Sequence, residues 1–217
     1  MDVHTVRRTL VDEYRVPAHA GEGFLETKGS RFYGRALLTA DEKAVEALLA
    51  SARALYPSAS HHTYAYRLGR TGSIARFSDD GEPGGTAGRP MMEVLLRAEV
   101  VDVAVVVSRI FGGVLLGAGG LTRAYSSMAA AAVRDAGIVV RRPFALLKVT
   151  VSYDLLGAVE AVLRREGVVG RDVDYGGVVS MIVPVGPEAV AALTVALGDA
   201  TSGRARIALG ETTYDAS

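Results

Sequence analysis

Two glycine-rich segments on either side of a hydrophobic run carry the residue types that could bind a charged ligand. Residues 77–90 read FSDDGEPGGTAGRP, and residues 108–125 read SRIFGGVLLGAGGLTRAY. Glycine loses more conformational entropy on folding than any other residue, so this density is expected only where backbone approaches something closely or needs a positive φ. These two segments are therefore the candidate site.

The second segment runs from a hydrophobic strand pattern into a helical one, so its backbone amides could receive an anion at a helix N-terminus. The glycines that could do so are Gly112, Gly113, Gly117, Gly119 and Gly120. The segment lacks the Lys-Ser/Thr ending of a phosphate-binding P-loop and the G-x-G-x-x-G spacing of a dinucleotide loop. Close packing of helix on strand is the alternative interpretation, and both stay open.

Three arginines and one histidine could supply positive charge or hydrogen bonds to a ligand at these loops. Arg109 and Arg123 flank the second segment, Arg89 ends the first, and His61 begins a strand pattern beside them. A guanidinium near a helix N-terminus suits phosphate or carboxylate. For Arg109 and Arg123 the alternative is internal ion pairing with the carboxylates of the first segment.

The carboxylates in question are Asp79, Asp80 and Glu82, which could hold a hard cation such as magnesium or could simply build a turn. His61 and His62 are adjacent in a strand, so they point to opposite faces and cannot jointly bind one metal. Ser78, Thr86 and Ser108 are possible nucleophiles, but no G-x-S-x-G elbow accompanies them. We therefore expect no catalytic residue, no metal and no cofactor.

Composition narrows the class of protein further. The chain has 217 residues, no cysteine and a formal net charge of zero. Disulfides, thiol catalysis and cysteine-bound metals are excluded, and no strong basic stripe suggests binding to duplex DNA. The charged N-terminus and the absence of a long apolar run predict a cytoplasmic protein without membrane association.

Hydrophobic periodicity predicts an α/β layer domain over residues 1–142. The pattern indicates strands at 24–39 broken at Lys28-Gly29-Ser30, then at 62–68, 73–77 and 100–107, the last buried on both faces. Helices are expected at 39–56, with Thr39 and Glu42 as a capping box, from Pro90 onward, and from Leu121 to a stop at Gly137. This arrangement leaves both glycine segments at strand ends.

Residues 143–217 predict a second domain of ferredoxin-like β-α-β-β-α-β order. Its expected strands are 145–152, 168–174, 178–185 and 204–209, and its helices are 154–166, with Asp154 as the N-cap, and 187–197. The whole chain is thus expected to be an α+β protein of two domains.

Three motifs together resemble the IMPACT family in its two-domain, YigZ-like bacterial form. They are ASHHTYAYR at 59–67, FSDDGEPGGTAGRP at 77–90 and VVVSRIFGGVLLGAGGLTRAY at 105–125. The chain departs from the family pattern at Ile110, where an aromatic is usual, at Leu115, where lysine is usual, and at Gly84, where serine is usual. Without that lysine, Arg109 and Arg123 are left to supply positive charge.

The resemblance implies an N-terminal domain like that of a small-subunit ribosomal protein, domain four of elongation factor G and the GHMP kinases. It implies a C-terminal domain like domain five of elongation factor G. The function we expect is that of a non-enzymatic factor that binds RNA, the ribosome or a translation-related protein and regulates translation. The alternatives are an enzyme acting on a phosphorylated small molecule and a protein-interaction module.

Overall fold

The computed structural model describes residues 13–216, which form two compact units, Glu13–Arg141 and Arg142–Ala216. In the first part of the chain the elements are β1 Tyr14–Pro17, β2 Gly21–Thr27, β3 Ser30–Leu38, α1 Glu42–Leu55, β4 His61–Leu68, β5 Ile74–Ser78, α2 Gly88–Arg97, β6 Val103–Ile110 and α3 Ala118–Asp135. Strands β2 to β6 form an antiparallel sheet of order β2-β3-β6-β4-β5.

The central strand of this sheet is β6, whose valines are buried on both faces. Val103, Val105 and Val107 pack against α2 and α3 on one face of the sheet. Ala104 and Val106 pack against α1 on the other face. The prediction of a strand buried on both faces is confirmed, but the strand begins three residues later than expected. Glu99 and Asp102 have positive φ values of 53° and 47°, so the chain turns before it can extend.

Helix α1 follows the predicted periodicity but has a different cap. The side chain of Asp41 accepts a 2.8 Å hydrogen bond from the backbone amide of Ala44, whereas the Thr39 hydroxyl donates to the carbonyl of Leu37. The predicted Thr39–Glu42 capping box is therefore wrong. Because the helix begins at Glu42, Asp41 occupies the position at which a side-chain oxygen reaches the first-turn amides.

The second unit has the predicted order of strands and helices. Its elements are β7 Ile138–Val151, which begins in the first unit, α4 Tyr153–Arg165, β8 Arg171–Tyr175, β9 Val179–Val185, a 3-10 turn Pro187–Ala189, α5 Val190–Ala200 and β10 Arg206–Ala216. Strand β7 pairs with both β9 and β10, and β8 lies at the edge beside β9. The core is the alternate apolar face of β7 and β9 packed on α4 and α5.

The residue before α4 and the start of β7 differ from the sequence prediction. The residue before α4 is Ser152 rather than Asp154, which lies in the first turn. Strand β7 starts seven residues before the predicted strand, because residues 138–141 pair with β1, a short strand that the pattern did not reveal. Among residues 13–216 no helix has both the length and the apolar character needed to span a membrane.

Candidate functional site

The loop that follows β5, residues 79–87 and here called the acidic loop, directs its first carboxylate at the start of α2. Asp79 Oδ1 accepts hydrogen bonds from the amides of Ala87 (2.9 Å) and Gly88 (2.8 Å), and Oδ2 accepts one from Gly85 at 2.8 Å. Burial alone would raise the pKa of this carboxyl, but the three amide donors hold it below its ordinary value. The negative charge of Asp79 thus lies at the N-terminus of α2, where the helix dipole is positive, and its oxygens accept hydrogen bonds from amides there.

Asp80 and the two histidines at the start of β4 connect the acidic loop to the sheet. Asp80 Oδ2 accepts the backbone amide of His62 at 2.6 Å, while its carbonyl accepts Nδ1 of His61 at 2.7 Å. As predicted, the two imidazoles lie on opposite faces: His61 meets the loop, and Nδ1 of His62 lies 2.8 Å from the Ser108 hydroxyl on the other side. Burial lowers the pKa of His62.

Glu82 lies at the centre of a buried charged cluster. Nη1 of Arg109 donates to Oε1 and Oε2 of Glu82 at 2.7 and 3.0 Å, and the Tyr125 hydroxyl donates to Oε1 at 2.6 Å. Burial and this bond to a carboxylate raise the pKa of Tyr125. Because Arg109 is only 5% exposed, its guanidinium is a structural ion-pair partner, and the candidate role as a direct ligand contact is not supported by its position.

Arg109 also joins the acidic loop to the two turns beside it. Its Nη2 lies 3.4 Å from the Ser30 hydroxyl, which in turn accepts the Gly112 amide at 3.1 Å. The guanidinium carbon lies 5.5 Å from the ring centres of both Phe32 and Phe111, within cation–π distance. One buried arginine therefore fixes the end of β6 to the β2–β3 turn.

The candidate glycines of the second segment divide into packing and open positions. A Cβ at Gly112 would fall 1.9 Å from the carbonyl carbon of Gly29, so Gly112 permits two backbones to touch. Gly113 and Gly117 have φ values of 85° and 71° and nothing within 4 Å of a Cβ, so they serve as turns in open space. Gly119 and Gly120 lie in the first turn of α3, which has no side-chain cap.

Residues 111–117, here called the glycine loop, form an exposed and largely apolar tip between β6 and α3. Phe111, Val114 and Leu115 are exposed, and Leu115 reaches 80%. The backbone amides of residues 118–120 have no hydrogen-bond partner among residues 13–216. Unlike the first amides of α2, which bond to Asp79, these first amides of α3 are left to solvent or to a ligand.

Unpaired positive charge borders the glycine loop. Arg123 is exposed, with Nη1 3.7 Å from the Cβ position of Gly119, and Lys28 is exposed in the turn whose Gly29 touches Gly112. Neither side chain has a hydrogen bond or ion pair within the described part of the chain. Arg89 is also exposed but forms a 3.6 Å surface ion pair with Glu93. Arg123 and Arg89 are therefore accessible, as a binding role requires.

The arrangement offers little for metal or nucleophilic chemistry. The carboxylates of Asp79, Asp80 and Glu82 each bond to different partners, and within residues 13–216 no group of three His, Asp or Glu side chains could hold a metal ion. Ser108 is hydrogen-bonded to His62 but only 1% exposed, so substrate could not reach its hydroxyl.

Sequence reasoning missed Ser30, Lys28 and Tyr125. Lys28-Gly29-Ser30 was recognised as a break between strands, but nothing local indicates that this turn contacts Gly112, which lies 83 positions along the chain from Gly29. Tyr125 lies on the buried face of α3, and apolar spacing gives no sign of its bond to Glu82. Buried tyrosine hydroxyls usually find a partner, and that rule was the available signal.

Comparisons with known proteins match two separate parts of the chain to two family models. Residues 28–133 match the family model described as the Impact N-terminal domain, and residues 149–204 match a domain of unknown function, DUF1949. The chain is 31% identical to the IMPACT family member YvyE of Bacillus subtilis, with 94% of each chain covered. The chain belongs to the IMPACT family.

Two further comparisons extend over most of the chain. The IMPACT family member YigZ of Escherichia coli is 33% identical, covering 89% of this chain and 96% of the relative. A solved crystal structure of a hypothetical protein matches with a TM-score of 0.62 at 33% identity, covering 93% of this chain and 99% of the other. The glycine loop and the acidic loop both lie inside the matched Impact N-terminal domain.

Proposed function

We propose that this IMPACT-family protein is a non-enzymatic, cytoplasmic factor that binds RNA at or around the ribosome and regulates translation. The proposal includes the likeness of the first unit to domain four of elongation factor G and of the second to domain five. The contact surface is the glycine loop together with Lys28 and Arg123.

A single observation carries the proposal: the carboxylates of the acidic loop are bonded inside the molecule, whereas the basic side chains beside the glycine loop are not. The carboxylates of Asp79, Asp80 and Glu82 are bonded within the molecule, whereas Lys28 and Arg123 have no partner among residues 13–216. Positive charge therefore remains outward without the acidic loop opposing it, beside open glycine backbone. Phosphate contacts from Lys and Arg supply most sequence-independent RNA affinity.

The exposed tip adds contacts of a different kind. Phe111 presents an accessible ring, and unpaired RNA bases stack on such aromatic faces. The amides of residues 118–120 add hydrogen-bond donors at the positive end of α3. Cation, ring and amides together suit a single-stranded or looped RNA segment, whose backbone phosphates and unpaired bases can contact all three.

The test compares a double variant, Lys28→Ala with Arg123→Ala, against Arg134→Ala, which removes one positive charge at the opposite end of α3. In sucrose gradients at low salt the unaltered protein and Arg134→Ala are expected to co-sediment with ribosomal particles, and the double variant to remain near the top. Affinity for a single-stranded RNA should fall for the double variant, with the salt slope reduced by about 0.7 per lost phosphate contact.

A gain-of-function variant sharpens the same test. Leu115→Lys restores a charge at an exposed position, so folding stability should change by less than about 0.5 kcal/mol while RNA affinity rises. If the unaltered protein stays at the top of the gradient and none of these changes alters RNA affinity, the proposal fails. Thermal stabilisation by a nucleotide with magnesium would instead favour the enzyme alternative.

A further inference from the structure

A groove in the second unit lies far along the sequence from the glycine loop and is formed by α4, β8 and the segment that connects them. Its volume is about 430 Å³, within the range of small-molecule sites. The apolar side chains that line it are Leu156, Leu163, Val168, Val173 and Met181. An apolar groove of this size in a single unit could accommodate the body of a small ligand.

The connecting segment packs closely against the groove wall at one glycine. A Cβ at Gly170 would lie 2.9 Å from Sδ of Met181 and 3.7 Å from Cδ1 of Leu163. A larger residue there would take up space at the wall and displace the Met181 side chain that lines the groove. Gly170 thus sets the position of Met181 and with it the shape of the groove.

Two opposite charges stand at the rim, one helical turn apart. Glu160 and Arg164 both line the groove from α4 and are exposed, and their side chains have no ion pair or hydrogen bond within residues 13–216. Residues four apart share a helix face, with Cβ atoms about 5–6 Å apart. The rim therefore offers one unpaired carboxylate and one unpaired guanidinium beside an apolar cavity.

This combination selects the chemistry of the ligand. An ammonium group pairs with Glu160, a carboxylate pairs with Arg164 in the two-pronged geometry that guanidinium favours, and an apolar side chain enters the cavity. An added peptide strand fits less well, because β8 has a register shift between Arg171 and Asp174 and a φ of 50° at Asp172. We propose that the second unit binds a free apolar α-amino acid, such as leucine or phenylalanine, in this groove.

The experiment is calorimetric titration of the full chain with L-leucine and L-phenylalanine, alongside N-acetyl-L-leucine amide, which keeps the side chain and lacks both charges. Saturable binding of the free amino acids is expected, with binding of the blocked compound at least about tenfold weaker. Arg164→Gln should weaken binding by about tenfold or more. Arg165→Gln, the neighbouring arginine that pairs with Glu166 instead, should leave it unchanged.

Gly170→Val provides a second variant that keeps both charges and changes the shape of the groove by displacing Met181, and it should abolish binding. Arg164 is exposed, so its variant is expected to fold even if Gly170→Val does not. The proposal is overturned if neither amino acid binds saturably up to about 10 mM. It is equally overturned if the blocked compound binds as well as leucine, which would point to a peptide, or if the two arginine variants behave alike.

Discussion

The acidic loop and the glycine loop have similar glycine content and adjoining positions, yet they satisfy their polar groups in opposite directions. The acidic loop bonds Asp79 to α2, Asp80 to β4 and Glu82 to Arg109, all inside the molecule. The glycine loop leaves its apolar tip exposed, and α3 behind it begins without a side-chain cap. A high density of glycine therefore indicates a backbone that must turn sharply or pack closely. Polar groups bonded inside the molecule indicate packing, and polar groups left exposed indicate binding.

The strongest test of this contrast removes the carboxylate at the centre of the acidic loop. Glu82→Gln keeps the shape but leaves Arg109 buried beside a neutral group, so the free energy of unfolding should fall by about 3–5 kcal/mol. Glu93→Gln, which breaks only surface ion pairs with Arg89 and Arg97, should cost less than about 1 kcal/mol. Urea unfolding of both variants measures the difference, and similar losses would contradict the buried-cluster interpretation.

The glycine loop should respond strongly at its first residue and weakly elsewhere. Gly112→Ala forces the new Cβ into the backbone of Gly29, so we expect a loss of about 3 kcal/mol as the β2–β3 turn moves. Gly84→Ala, at a glycine of the acidic loop with open space and no positive φ, should change stability by less than about 0.5 kcal/mol. Equal thermal melting temperatures for the two variants would show that Gly112 is not a packing position.

A smaller effect is expected for the carboxylate that bonds to α2. Asp79→Ala removes the acceptor of three backbone amides and should cost about 2 kcal/mol, compared with about 1 kcal/mol for Asp41→Ala, which removes one at α1. Faster hydrogen exchange should appear at Ala87 and Gly88 in the first variant alone. Unchanged exchange there would mean that solvent replaces Asp79 without loss.

The smallest effect is a dependence on pH at the histidine that faces away from the acidic loop. Burial lowers the pKa of His62 in the folded state, so as pH falls below about 6.5 the unfolded state binds a proton first and stability decreases. His62→Asn should remove that slope, by less than about 1 kcal/mol between pH 7 and pH 5. Parallel urea midpoints for the two proteins across this range would refute the assignment.

Sequence patterns located the elements that hold the site because the apolar periodicity is strong. The helix faces at α1 and α3 and the buried valines of β6 follow directly from spacing, and only their ends shifted. Ends depend on single backbone angles, as at Asp102, where a positive φ delays β6. Such angles are set by packing that no local window of sequence contains.

The roles of individual site residues were predicted less completely, because their partners are distant in sequence. Internal ion pairing was one of two open interpretations for Arg109 and Arg123, and the structure gives it to Arg109 and not to Arg123. Nothing in the spacing distinguishes Glu82 from Asp79 or Asp80 as the partner. The same limit applies to Gly112 and Gly113, which are adjacent but serve packing and turning respectively.

The contact between Gly29 and Gly112 has a consequence for how the family can diversify. Gly112, at which any side chain would meet the backbone of Gly29, lies two residues before Val114 and three before Leu115, whose exposed side chains add little to stability. Mutations at the tip therefore stay above the stability threshold that eliminates most substitutions. A packing contact that restricts substitution, placed beside an exposed tip that tolerates it, allows partner preference to evolve while the fold that presents the tip stays the same.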